Sequence, residues 1–125
     1  MIRVLVVDDH VLFAEALSAM LDAEPAVEVV GLATNGADAV EQAERLEPDV
    51  VLMDISMPGL DGFEATRRIL AQRPATRVLI VTGSDASQDV AAAREAGAAG
   101  YVTKDQIGAE LIDAILDVAR ARPVP

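Results

Sequence analysis

The chain has 125 residues, 52% hydrophobic and 25% charged, with a formal net charge of −11. That is one globular domain by size and make-up, which excludes wholesale disorder, and no apolar run approaches the roughly 20 residues of a membrane span. The absence of Cys and Trp, with aromatics at 2%, excludes disulfide frameworks, thiolate sites, cysteine nucleophiles and base-stacking platforms. The ten basic residues are scattered, so direct nucleic-acid binding is not expected. The start, Met1 to Val7, is too short for a secretory leader and runs straight into acids. A soluble, cytoplasmic domain without membrane contact is the expectation.

Along the chain, apolar runs alternate with helical patterns. Ile2–Val7 is nearly continuous in apolar residues, as in a strand buried on both faces. Phe13, Leu17, Met20 and Leu21 then recur at helical spacing. Val27–Ala33 is a second strand, and its Glu28 points to a place nearer the sheet edge. Asn35 can cap a helix carrying Ala39, Val40, Ala43 and Leu46. Val50–Met53 is a third buried run. Asp61 followed by Glu64 resembles a capping box before a helix through about Gln72. Val78–Val81 is a fourth run, and Ser87 can cap a short Ala-rich helix that Gly97 would stop. Tyr101–Val102 is a short fifth strand, and a last helix spans about Ile107 to Arg120.

Five β–α units of this length favour a parallel α/β sheet with helices on both faces. Ligands of such sheets bind beyond the carboxyl ends of the strands. Asp8-Asp9 follow the first strand, Asp54 the third, Thr82-Gly83-Ser84 the fourth, and Thr103 with the chain's only lysine, Lys104, the fifth. Each has a plainer reading: Asp9 as a helix cap, Thr82 as a satisfied strand-end hydroxyl, Lys104 as a solvated charge. The joint pattern is much rarer than any member. Two carboxylates about 4 Å apart repel by roughly 4 kcal/mol at an effective dielectric of 20. Either one stays protonated or a cation sits among them. Oxygen-only ligands favour a hard ion such as Mg²⁺, with positions left for water or phosphate oxygens.

Asp8-Asp9-His10, Met53-Asp54-Ile55-Ser56-Met57-Pro58-Gly59-Leu60-Asp61-Gly62, Val81-Thr82 and Gly100-Tyr101-Val102-Thr103-Lys104 together resemble a response-regulator receiver domain of two-component signalling, over the whole chain and in the right order. The wording is most similar to the NarL/FixJ branch, whose members carry a LuxR-type helix-turn-helix output domain. The resemblance implies a flavodoxin-like (βα)5 three-layer sandwich with strand order 2-1-3-4-5. It implies a receiver over 1–120, with 121–125 as the start of a linker or tail and no room for an output domain. A stand-alone receiver fits the same residues.

The resemblance further implies a role for each position. Asp54 is the phosphoacceptor, supplied by a histidine kinase. Asp8, Asp9, Asp54 and the Ser56 backbone carbonyl hold Mg²⁺, with Mn²⁺ as a substitute. Thr82 and Lys104 meet the phosphoryl group, as does the Gly83 backbone N–H. Thr82 and Tyr101 form the conformational switch. Such a domain catalyses its own phosphorylation and dephosphorylation without being a turnover enzyme.

Asp105 follows Lys104 where many receivers have Pro, so a cis bond is not expected there. Ser56 and Ser84 either tune acyl-phosphate hydrolysis or are solvated loop hydroxyls. His10 is either close to the metal or an exposed loop residue. The segment Val90–Ala96 is either a mobile element or a tightly packed small-residue helix. Leu111, Ile115 and Val118 lie on one stripe of the last helix, which Ile112 and Leu116 widen; part of that width is core and the remainder a candidate dimer or output-domain surface. The rivals are a phosphorylation-independent interaction module and an Asp-nucleophile phosphatase. The intact acid cluster argues against the first. The lack of a substrate cap and of a spaced Asp-x-Asp argues against the second.

Overall fold

Short apolar runs without helical periodicity become strands, and the amphipathic segments between them become helices. The computed structural model describes residues 1–83 and 86–120, apart from the side chain of Ala109. Ser84 and the tail 121–125 lie outside the described residues. The order is β1 (Ile2–Val7), α1 (Val11–Asp22), β2 (Val27–Ala33), α2 (Gly36–Leu46), β3 (Val50–Met53), α3 (Gly62–Gln72), β4 (Arg77–Thr82), α4 (Ser87–Ala96), β5 (Gly100–Thr103) and α5 (Ile107–Arg120). One 3₁₀ turn, Lys104–Gln106, leads into α5.

All strand pairings are parallel, in the order β2-β1-β3-β4-β5. This is the α/β architecture and the strand order expected. β2 is an edge strand, and Glu28 on it is exposed. Side chains alternate across the sheet with period two. Val4 and Val6 pack with Leu17 and Leu21 of α1 and with Leu111 and Ile115 of α5. Leu5 and Val7 pack on the other side with Ala39 of α2, Ile69 of α3 and Ala93 of α4. Two cores therefore sandwich one sheet.

The caps are local. Asn35 Oδ1 accepts the Asp38 N–H at 2.8 Å, and Asp61 Oδ1 accepts the Glu64 N–H at 2.8 Å. The Glu64 carboxylate pairs with Arg67 and Arg68 instead of closing a reciprocal box. Ser87 does not cap α4: the flanking position is Ala86, with no side-chain cap bond, and Ser87 is the first helical residue. Gly97 does end that helix, at φ 102° in the left-handed region where glycine carries no Cβ penalty.

Candidate functional site

Strand register builds the site. Val7 is paired with Met53, so Asp8 and Asp54, one residue further on, emerge side by side from adjacent strands. The ladder continues past both: the Asp8 N–H donates to Ala33 O and the Asp54 N–H to Val7 O, each at 3.0 Å. Both acids follow the parity of Val6 and Leu52, so they lie on the α1/α5 side. Thr82 ends β4, paired in register with Thr103 of β5, whose next residue is Lys104.

Asp8 and Asp54 are each 2% exposed, which is rare for carboxylates without a partner. Lys104 Nζ supplies one, 2.8 Å from Asp8 Oδ2 and 3.6 Å from Asp54 Oδ2. The Ser56 N–H donates to Asp54 Oδ1 at 3.1 Å, and the His10 N–H to Asp8 Oδ1 at 2.8 Å. Burial raises the Asp54 carboxyl above the ordinary aspartate range. The Ser56 N–H works against this, Asp8 adds to it, Lys104 opposes it and Asp9 adds a little more.

Asp9 is not the cap of α1. That position is His10, which makes no side-chain cap bond. Asp9 Oδ1 is instead enclosed and accepts no hydrogen bond from the described residues. One oxygen each from Asp8, Asp9 and Asp54 and one His10 nitrogen can lie within 4.8 Å of one another. An enclosed carboxylate oxygen that accepts no hydrogen bond from the described residues, beside two further carboxylates, fits a hard divalent cation. His10 is exposed, yet its Nδ1 is 3.4 Å from Asp9 Oδ1 and 3.5 Å from Asp8 Oδ1, so it borders this group.

The remaining expected residues lie at the same edge or beside it. Thr82 is buried and Tyr101 half-buried. Tyr101 pairs in register with Ile80 and lines a cavity of about 140 Å³ with Val90, Ala93 and Arg94 of α4. Gly83 is exposed, and a Cβ there would meet nothing within 4 Å, so no crowding requires glycine. No cis peptide bond occurs among the described residues. Phe13 is the residue that sequence reasoning missed. It packs on the core as its helical spacing predicts, but its ring centroid also lies 4.3 Å from Lys104 Nζ. Spacing along one helix carries no signal for a contact with the loop that follows the last strand.

The profile of the response regulator receiver domain family matches residues 4–116. The chain belongs to that family. LiaR of Bacillus subtilis (strain 168), a transcriptional regulatory protein, is 40% identical over 98% of this chain and 58% of its own length. NarL of Mycobacterium tuberculosis (strain H37Rv), a probable transcriptional regulatory protein, is 40% identical over 98% of the chain and 57% of its own length. The receiver thus spans a little over half of these relatives. The crystal structure of a LuxR-family two-component response regulator from Aurantimonas sp. SI85-9A1 superposes with a TM-score of 0.93 at 38% identity, over 98% of this chain and 87% of that one. The NarL/FixJ resemblance is borne out by these relatives. Receivers bind Mg²⁺ at an acidic pocket, and this receiver has one.

Proposed function

We propose that Asp54 is the phosphoacceptor of a Mg²⁺-dependent conformational switch charged by a histidine kinase. The observation that carries this is a buried carboxylate, with a raised proton affinity, set between two further acids and one lysine. An Asp54 oxygen forms the new P–O bond while the P–N bond of a phosphohistidine breaks and the departing imidazole takes up a proton. Lys104 stands 3.6 Å from Asp54 Oδ2, where it offsets the repulsion between this carboxylate and an anionic phosphoryl group. Asp8, Asp9, Asp54 and the Ser56 carbonyl are the groups that would hold Mg²⁺, with Mn²⁺ as a substitute ion. A bound divalent cation supplies charge neutralisation and polarises phosphoryl oxygens.

After transfer, Asp54 bears added negative charge and acceptor oxygens. The Thr82 hydroxyl, the Gly83 N–H and Lys104 are the donors at hand. Thr82 drawn toward the phosphoryl group frees volume that Tyr101 can follow. A shift from 1:99 to 99:1 needs roughly 5.5 kcal/mol. Two or three charge-assisted hydrogen bonds at about 1.5–3 kcal/mol each span that figure. Hydrolysis of the acyl phosphate resets the switch within the same domain.

The output is transcription, through a LuxR-type helix-turn-helix domain in the full protein, which acts in the cytoplasm. No helix among the described residues is long and apolar enough to cross a membrane. Ile112 and Leu116 are half-buried beside the fully buried Leu111 and Ile115, which leaves part of α5 available to a second copy or to the output domain.

Incubation with Mg²⁺ and a small phosphodonor, followed by intact mass, tests the reading. One phosphoryl group is expected on the wild type, labile to base and absent from Asp54→Asn. No adduct favours an interaction module that works without phosphorylation. Sustained fast phosphate release favours a phosphatase.

A further inference from the structure

Among the described residues, Lys104 stands close to two acids and one aromatic ring. Its ammonium touches Asp8 Oδ2 at 2.8 Å, lies 3.6 Å from Asp54 Oδ2, and stands 4.3 Å from the centre of the Phe13 ring. That is within the range at which an aromatic face attracts a cation. Phe13 is in the first turn of α1, is half-buried, and packs against the core formed by α1, α5 and the sheet. The ring is therefore a fixed object, whereas the lysine stem is long and rotatable.

The two kinds of neighbour behave differently when the site is loaded. A divalent cation bound by the acids competes with the lysine for Asp8, the ammonium's shortest contact. The attraction of the ring is independent of the charge on the carboxylates. We propose that Phe13 is a positioning residue for phosphoryl transfer: its ring holds the Lys104 ammonium over Asp54 when Asp8 is engaged elsewhere. The inference rests on Asp54 being the phosphoacceptor. The ring touches neither that carboxylate nor the phosphoryl group, and it acts only through the lysine.

Phe13→Leu keeps an apolar side chain on the core and removes the π face, and Phe13→Tyr keeps both. In the full chain with saturating Mg²⁺ and acetyl phosphate, Phe13→Leu is expected to lower the maximal rate of Asp54 phosphorylation about three- to tenfold. Phe13→Tyr stays within about twofold of wild type. In a Lys104→Met background, Phe13→Leu has no further effect, because the group it positions is gone. The Lys104 Hε protons provide a readout free of activity. They resonate upfield in wild type and Phe13→Tyr, with Mg²⁺ present, and return to ordinary lysine positions in Phe13→Leu. Equal rates for Phe13→Leu and Phe13→Tyr, an undiminished Phe13→Leu effect without Lys104, or unshifted Hε protons in Mg²⁺-loaded wild type would each overturn the positioning role. A wild type that accepts no phosphoryl group overturns the phosphoacceptor reading and the role of Phe13 together. A phosphorylated wild type with an indifferent Phe13→Leu overturns only the latter.

Discussion

Asp54 is an expensive residue for the fold to hold. Burial is the first cause of its raised pKa, reinforced by Asp8 and Asp9 and opposed by the Ser56 N–H and Lys104. The folded chain then binds this proton more tightly than the unfolded one. The stabilisation linked to it is complete below the ordinary aspartate pKa and disappears as pH rises through the higher folded value. Once ionised, the side chain therefore works against folding. Asp54→Asn is expected to raise the melting temperature by about 2–5 °C at pH 7, with a gap that closes as pH falls toward 4. Thermal melts across that range check it, and a lower melting point at pH 7 would contradict it. Asp8, Asp9, Asp54, Thr82 and Lys104 were legible as candidates because they gather at the ends of four separate apolar runs. The contact between Phe13 and Lys104 was not, because it joins a helix to a distant loop through their packing alone.

Among the elements, α3 starts in close contact with the site's backbone. A Cβ on Gly62, its first residue, would sit 2.3 Å from the Asp54 carbonyl oxygen and 2.7 Å from Ile55 Cα. The first turn of α3 thus rests directly on the backbone that carries Asp54. Gly62→Ala is expected to cost about 2–3 kcal/mol in urea unfolding, since neither backbone segment can yield cheaply. Gly83→Ala, with open space around it, is the control and should change stability by less than about 0.5 kcal/mol. Similar midpoints for the two variants would mean that α3 can shift away at little cost. Asn35 and Asp61 announced the starts of α2 and α3 because a cap is a contact over three residues. Ser87 misled because a serine before an Ala-rich stretch fits two adjacent positions, and the chain starts α4 one residue earlier than a Ser87 cap requires. Of that helix only Ala93 and Ala96 are buried, so it has little apolar area to anchor it.

At the scale of the whole molecule, folding brings carboxylates together against their mutual repulsion, and a ligand cation recovers that cost. Mg²⁺ at about one hundred times its dissociation constant should stabilise the fold by about 2.7 kcal/mol, or about 10 °C in melting temperature. Asp9→Asn should cut that Mg²⁺-dependent rise to less than about 3 °C. An undiminished rise would remove Asp9 from the cation site. The fold class, the five repeated units and their approximate limits follow from the sequence alone, because hydrophobic periodicity and capping are local. The strand order and the residue roles came from likeness to a family, and the structure bears out the order. Only the tertiary structure decided that Val7 pairs with Met53, that one Asp9 oxygen is enclosed, and that Lys104 lies between two acids and a ring. Register, burial and the meeting of separate loops depend on how the elements pack, and no local stretch of chain encodes that.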